Sequence, residues 1–174
     1  AGPGNDMSRI AAHAGDEEMM AYSEGIWRGV STAVMGRANY EGFLGYWPPV
    51  ANDPSSTPRN RELAIWLDTV EKVVFSRTMR HAEWQNTRVS ADLEGEIGAL
   101  KQAPGRDILV INSVSIIRAL LQAGLLDDFT VFQTPIVLGG GLRFFREGLP
   151  PSDWRLINVT TFPTGDVALR YGRT

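Results

Sequence analysis

Three short apolar runs, each ending in a glycine or a polar turn, constrain most strongly what this chain can fold into. The runs lie at residues 32–35, 72–75 and 107–111, and each has the pattern of a buried strand. Segments with apolar residues at helical spacing, at 62–70 and 92–102, separate the runs. Helical connections of this kind are the crossovers that a parallel sheet requires. The pattern therefore predicts an α/β fold.

The first part of the chain begins with turn-forming residues at 1–6. An acidic first turn and apolar residues at helical spacing then predict a helix near 16–27. Residues 37–44, directly after Gly36, are predicted to form one or two helical turns. The prolines within residues 48–58 favour a loop rather than a helix or a central strand.

The second part of the chain predicts one more crossover and a hairpin. A helix that ends at Gly124 lies between the third apolar run and a predicted strand at 128–137, which makes a strand–helix–strand unit. Residues 154–162 and 166–171 flank a Pro-Thr-Gly turn and predict a C-terminal antiparallel hairpin. We therefore expect a mixed sheet that is parallel in the middle and antiparallel at one edge.

Length and composition predict an ordinary folded protein. The chain has 174 residues, of which 43% are apolar and 21% charged. At about 100–200 residues per domain, this length predicts a single domain over residues 1–174. The formal net charge of -3 gives no basic surface for nucleic acid. With no run as long as the roughly 20 apolar residues of a membrane helix and no signal peptide, we expect a cytoplasmic protein that binds neither nucleic acid nor membrane.

The chain has no cysteine and only two histidines, His13 and His81. The lack of cysteine excludes disulfides, thiolate zinc sites and catalytic thiols. Two histidines far apart in the sequence, without a partner motif, predict no metal site. The absence of a G-x-S-x-G motif disfavours a serine hydrolase triad. We therefore expect both histidines to be ordinary surface residues.

Polar residues follow each of the three predicted strands, at 36–39, 76–78 and 112–115. Because ligands of open α/β sheets bind outside the carboxyl ends of the strands, we expect these segments to surround one site. Helix N-termini bind phosphate through free N–H groups, and Arg37 and Arg77 can pair with phosphate. Turn formation and helix capping explain each motif taken alone. Together, the motifs indicate a dinucleotide site.

Several segments resemble the dihydrofolate reductase-like family, most closely the branch that contains the reductase domain of riboflavin biosynthesis, the C-terminal domain of the bacterial bifunctional deaminase-reductase. Residues 35–43 are similar to the Gly-Arg-x-Thr-Tyr-Glu segment of that family. Residues 72–78 resemble its strand and Ser-Arg-Thr loop, and its later motifs follow in order at 107–114, 120–128 and 135–141. The resemblance covers nearly the whole chain.

This resemblance implies a three-layer dihydrofolate reductase-like fold, with helices on both faces of the sheet, that binds NADPH. In the family, the arginine after the first glycine and the Ser-Arg-Thr loop hold the 2′-phosphate and the pyrophosphate of the cofactor. The next helix start would face the pyrophosphate through its N–H groups. The implied cofactor-binding residues are Gly36, Arg37, Asn39, Ser76, Arg77, Thr78, Asn112, Ser113, Val114 and Ser115.

Two of these positions depart from the family pattern, because Asn112 stands where a glycine is usual and Asn39 where a threonine is usual. A glycine would let the cofactor approach the backbone closely. These departures motivate an alternative, a non-catalytic ligand-binding or regulatory protein on the same fold. The family also begins with a central strand and an aspartate-bearing loop, so we expect that the sequence lacks an N-terminal segment.

The resemblance implies hydride transfer from NADPH to a pyrimidine- or pteridine-like substrate, as in the uracil reduction of riboflavin biosynthesis or in dihydrofolate reduction. Trp47 could stack on such a heterocycle, and Gly139 and Gly140 could let a ligand approach the backbone. A core position for the tryptophan and a tight bend for the glycines are the alternatives. The residues identify no proton donor.

Three acidic residues, Glu24, Glu41 and Asp68, lie on predicted helices and are expected to face solvent. Without cysteine, the chain cannot carry the zinc deaminase that is often fused to this reductase. An unrelated α/β enzyme remains a further alternative. We expect a homodimer, as in other members of the family.

Overall fold

The computed structural model describes residues 8–174, without the side chains of residues 11 and 12. The turns predicted at residues 1–6 lie outside this range. The chain forms two compact units. The parallel-sheet unit is Glu24–Leu125, and the antiparallel-sheet unit is residues 8–23 with Leu126–Thr174. In chain order, the elements are α1 (Ser8–Ala14), α2 (Glu17–Trp27), β1 (Val30–Gly36), α3 (Arg37–Val50), α4 (Pro58–Thr69), β2 (Glu71–Phe75), β3 (Thr87–Ser90), α5 (Leu93–Gln102), β4 (Asp107–Val110), α6 (Val114–Ala123), β5 (Asp128–Gln133), β6 (Trp154–Thr161) and β7 (Val167–Arg173).

The parallel-sheet unit contains four strands in the order β3–β2–β1–β4, and each neighbouring pair is parallel. β1 lies between β2 and β4, with Gly36 at its end opposite Phe75 of β2. Val34, Met35 and Val73 are fully buried. Burial of an aliphatic side chain contributes about 1.5–3 kcal/mol, so the central strands carry much of the stability of this unit. The parallel α/β class predicted from the three apolar runs is confirmed.

Strand β3 was not predicted. Its sequence, Thr-Arg-Val-Ser, is mostly polar, and all four residues are half-buried. β3 lies at the edge of the sheet and pairs with β2 on one side only. Arg88 of β3 forms ion pairs with Glu71 and Glu96. An edge strand of this kind lacks the apolar run by which the other parallel strands were identified.

Helix α3 continues further than predicted, through Pro48 and Pro49 to Val50. The prediction of a loop over 48–58 was therefore wrong for its first three residues and for Pro58, which begins α4. A proline costs a helix most in its interior, whereas these two lie in the last turn, where the helix is ending. The rest of the segment connects α3 to α4, which begins at Pro58 with Thr57 as its N-cap. No helix within residues 8–174 is long and apolar enough to cross a membrane.

The antiparallel-sheet unit contains three strands in the order β5–β7–β6. The predicted hairpin is confirmed as β6–β7, and Gly165 in its turn has a φ of 84°. Met19, Phe162 and Ala168 form the buried core beside this sheet. The antiparallel strands were expected at the edge of one mixed sheet, but they form a sheet of their own. Among residues 8–174, β5 pairs with β7 and not with β4, so the connection through α6 leads from the parallel sheet into a second sheet.

His13 was expected to be an ordinary surface residue, but it is partly buried in the antiparallel-sheet unit. Its Nδ1 lies 2.6 Å from Oδ2 of the fully buried Asp166, and the Thr164 hydroxyl donates to the same oxygen at 2.6 Å. Burial alone would raise the pKa of Asp166, but the hydrogen bonds from Thr164 and His13 outweigh burial and lower this pKa. An ionised carboxylate therefore joins α1 to the β6–β7 turn.

Candidate functional site

The carboxyl ends of β2, β1 and β4 lie side by side in the parallel-sheet unit, because all three strands run in the same direction. The polar segments that follow them therefore meet at one edge, as expected from the sequence. We call this group of residues the carboxyl-edge site. It comprises Gly36, Arg37, Asn39, Ser76, Arg77, Thr78, Asn112, Ser113, Val114 and Ser115.

Hydrogen bonds join the end of β1 to the end of β4. The buried Ser113 hydroxyl accepts from the Gly36 N–H at 2.9 Å and donates to the Ile111 carbonyl at 3.0 Å. The Asn39 amide donates to the same carbonyl at 2.8 Å. The Ser113 hydroxyl and the Asn39 Nδ2 are thus engaged within the protein. These two side chains hold the backbone of the site in place.

Arg37 joins the end of β1 to the loop after β2. Its Nη1 donates to the Thr78 hydroxyl at 3.1 Å, and its Nε donates to Glu41 Oε1 at 2.7 Å. The Ser76 hydroxyl accepts from the N–H groups of Thr78 and Met79 at 3.2 and 3.0 Å. The loop therefore has a defined turn conformation, stabilised by its own hydroxyl groups. Glu41, expected to be a solvated residue, is the partner of Arg37, and its i,i+4 spacing is the sequence signal for this pair.

Arg77 lies between the two hydroxyl residues of this loop. Its side chain is exposed, and among residues 8–174 it has no hydrogen-bond or ion-pair partner. A guanidinium group with neighbouring hydroxyl donors is well suited to hold a phosphate dianion. Arg77 is therefore a cation of this site whose whole guanidinium group is available to a ligand.

Helices α3 and α6 begin directly at the carboxyl-edge site, and neither has a side-chain N-cap or an acidic residue in its first turn. Other helices of the chain do have such groups. Asp92 caps α5 and is followed by Glu94 and Glu96, and Asp16 accepts from two N–H groups at the start of α2. The first N–H groups of a helix and its positive dipole end favour an anion. The N-termini of α3 and α6 therefore have N–H groups that an anionic ligand could bind.

Glycine at position 36 is not required by the chain itself. Its φ of -81° is open to any residue. A methyl group there would lie 3.6 Å from both Ile116 Cγ1 and Ser115 Oγ, which are ordinary contact distances. The Cβ direction of Gly36 therefore faces side chains at the start of α6, and a small side chain could be accommodated there.

Asn112 has a φ of 46°, in the left-handed region. Glycine adopts this region most readily, and asparagine is among the few other residues that tolerate it. The backbone at this position therefore has a conformation typical of glycine, the residue that the resemblance leads us to expect here. The Asn112 side chain is exposed at the mouth of the site.

The three predicted substrate residues do not all lie in the same unit. Trp47 is partly buried against the core of the parallel-sheet unit, with its ring 6.1 Å from that of Phe43 and 5.0 Å from that of Tyr46. Gly139 and Gly140 belong to the antiparallel-sheet unit, where Gly139 has a φ of 71°. A positive φ favours the tight-bend explanation for this glycine, whereas a role for these three residues in substrate binding stays a prediction.

The other two acidic residues named from the sequence are also paired. Hydrogen bonds from Arg59 and Arg28, each 2.7 Å long, lower the pKa of Glu24. Asp68 accepts a hydrogen bond from the Trp84 indole at 2.5 Å. Both carboxylates are thus engaged by donors of the protein. The geometry assigns neither of them as a proton donor.

Lys72 is a fully buried charged residue in β2, and the sequence gives no indication of its burial. Its Nζ donates to the carbonyls of Leu67 and Val70 at 2.6 and 2.9 Å and lies 5.0 Å from the Trp84 ring centre. Burial lowers the pKa of Lys72 to about 8, although the nearby Asp68 opposes the shift. Lys72 lies near the amino end of β2, away from the carboxyl-edge site, and stabilises the end of α4.

The chain is similar to known proteins in sequence and in fold. The family model described as the RibD C-terminal domain matches residues 2–168. The uncharacterized protein YyaP of Bacillus subtilis (strain 168) is 29% identical over 142 residues, which cover 82% of this chain and 73% of that protein. A crystal structure of a protein from Shewanella sp. PV-4, named for riboflavin biosynthesis, matches with a TM-score of 0.66 and 20% identity, over 100% of this chain and 84% of that one. The structural match shows a shared fold.

Proposed function

Because the chain belongs to the RibD C-terminal domain family, we propose that it is an NADPH-dependent reductase acting on a pyrimidine- or pteridine-like substrate. The family is of the riboflavin-biosynthesis reductase type, and its fold is dihydrofolate reductase-like. When bound, the cofactor would supply the hydride. The protein would bind and orient it and exclude water from the reacting groups.

One observation carries this proposal. Two helices without side-chain caps, α3 after Gly36 and α6 after Ser113, begin at the same sheet edge. Arg77, which has no partner among residues 8–174, lies in the loop at the end of the neighbouring strand β2. An NADPH molecule carries two groups that fit these features, a pyrophosphate and a 2′-phosphate. The N–H groups of Val114 and Ser115 suit the pyrophosphate, because they lie in the first turn of α6. Ser76, Arg77 and Thr78 suit the 2′-phosphate.

Other residues of the site would act by positioning. Ser113 and Asn39 fix the two strand ends through the Ile111 carbonyl, so that the helix starts are held in place before a ligand binds. Preorganised donors of this kind lose little entropy when they bind a charged group. Gly36 has no side chain, which would allow the cofactor to lie close to the backbone.

The replacement Arg77→Ala tests the assignment of the 2′-phosphate. We expect it to weaken NADPH binding by about tenfold, because a lost charge-assisted phosphate contact costs about 1.4 kcal/mol or more. NADH lacks the 2′-phosphate, so its affinity should change little. Both dissociation constants are measured by fluorescence titration.

Arg106→Ala is the matched control. Arg106 lies in the same unit next to the amino end of β4, and its guanidinium donates to the carbonyls of Arg28 and Val30. This control should bind both nucleotides as the unmodified chain does. An equal loss of NADPH and NADH affinity in Arg77→Ala would contradict the assignment. Oxidation of NADPH on addition of a substrate separates the reductase from a protein that only binds the nucleotide.

A further inference from the structure

We propose that Glu41 is a positioning residue that orients Arg37 for the 2′-phosphate of NADPH and thereby contributes to the preference for NADPH over NADH. This inference rests on the proposed function. Glu41 would not contact the ligand and would act through Arg37. The proposal rests on the hydrogen bonds of Arg37 to Glu41 on one side and to Thr78 on the other.

The guanidinium of Arg37 is held at two of its three nitrogens. Nε donates to Glu41 Oε1 at 2.7 Å, and Nη1 donates to the Thr78 hydroxyl at 3.1 Å. Among residues 8–174, Nη2 has no partner. The two bonds fix the plane of the group and leave one set of N–H donors for a ligand.

The ion pair is a poor source of stability for α3. Arg37 is the first residue of the helix, where the dipole disfavours a cation. The two side chains are 50% and 51% exposed, and surface pairs of this kind contribute little. The order, with arginine before glutamate, is also the less favourable one along a helix. The clearer consequence of the pair is therefore the fixed direction of the guanidinium.

The direction of the guanidinium matters because Arg37 donates a hydrogen bond to the loop after β2, to which we assign the 2′-phosphate. Thr78 accepts from Arg37, and the Thr78 N–H donates to the Ser76 hydroxyl at 3.2 Å. Contacts therefore run from Glu41 through Arg37 to both hydroxyl residues that flank Arg77. A free arginine would lose much side-chain entropy on binding a phosphate, whereas one already held loses less.

A carboxylate near a phosphate also repels it, so orientation and charge act in opposite directions at Glu41. The two effects can be separated. Glu41→Gln keeps an oxygen that accepts from Arg37 Nε and removes the negative charge. Glu41→Ala removes both. If orientation dominates, the glutamine variant retains the NADPH preference and the alanine variant loses it.

The experiment is a titration of both variants and the unmodified chain with NADPH, NADH and adenosine 2′-phosphate. We expect Glu41→Ala to weaken the binding of NADPH and of adenosine 2′-phosphate by about fivefold. The affinity for NADH should change by less than about twofold. Glu41→Gln should bind NADPH at least as tightly as the unmodified chain. Glu62→Ala is the control, since Glu62 is a 53% exposed partner of Arg28 elsewhere in the same unit. Circular dichroism verifies that each variant is folded.

Three results would overturn the inference while the unmodified chain binds NADPH. The first is an unchanged NADPH affinity in Glu41→Ala. The second is tighter NADPH binding in both variants. The third is a loss of NADPH affinity in Glu41→Gln that equals the loss in Glu41→Ala. If the unmodified chain binds neither nucleotide, the proposed function itself fails and the inference fails with it. The two kinds of failure are thus distinguished by the unmodified chain alone.

Discussion

Asn112 stands where the resemblance leads us to expect glycine, and its backbone has a conformation that suits glycine. The residues on either side of it are held, because the Ile111 carbonyl accepts from both Asn39 and Ser113. Between them, the backbone of Asn112 takes a φ of 46°. Asparagine can adopt this conformation at modest cost, whereas most residues with a Cβ cannot.

This geometry predicts different effects for two substitutions at position 112. Asn112→Gly should change the free energy of unfolding by less than about 0.5 kcal/mol, because glycine suits a positive φ. Asn112→Ala should lower it by about 1 kcal/mol or more, because alanine is strained there. Urea denaturation of both variants measures the difference. Equal stability of the two variants would show that the backbone at this position is not held in the left-handed region.

At the scale of elements, the apolar pattern identified the strands that are buried and missed the strand that is not. Runs such as Val73 and Val74 reveal β2, while β3 has only Val89 as an aliphatic residue and lies at an edge. The end of α3 was missed because proline usually stops a helix, and the sequence does not show that these two prolines lie in a last turn. Lys72 was not singled out because a lysine gives no sequence signal of burial.

The burial of Lys72, at the connection between α4 and β2, makes the free energy of unfolding depend on pH. Burial lowers its pKa to about 8 in the folded protein, below the ordinary 10.5. Between these two values the unfolded chain binds more protons, so the free energy of unfolding should rise as pH increases through this window. Between pH 8 and 10.5, the free energy of unfolding of the unmodified chain should rise by on the order of 1–3 kcal/mol more than that of Lys72→Met.

The measurement is chemical denaturation of the unmodified chain and Lys72→Met at several pH values in that range. The difference between the two proteins isolates Lys72 from other groups that titrate at alkaline pH. Lys101, which is exposed, offers the matched control Lys101→Met. A difference that stays constant or falls with rising pH would mean that Lys72 is not buried as a charged group.

At the scale of the whole molecule, the ordered motifs identified the family, and the match over residues 2–168 confirms that resemblance. The α/β class and the carboxyl-edge location of the polar segments follow from strand direction, which the crossover helices determine. The separation into two sheets could not be foreseen. The sequence predicts a strand that begins at residue 128, but it does not show that this strand pairs with β7 in a sheet of its own. Pairing partners depend on contacts between residues far apart in the chain.

We propose that NADPH binds with its phosphates at the carboxyl-edge site, and the proposed function depends on this placement. The most direct test is a titration of the isotope-labelled full chain with NADPH, followed by backbone amide NMR. We expect the largest shifts at residues 36–39, 76–78 and 112–116. NADH should reproduce the shifts at 112–116 but not those at 76–78. NADPH binding that leaves all three segments unchanged would show that the cofactor binds elsewhere.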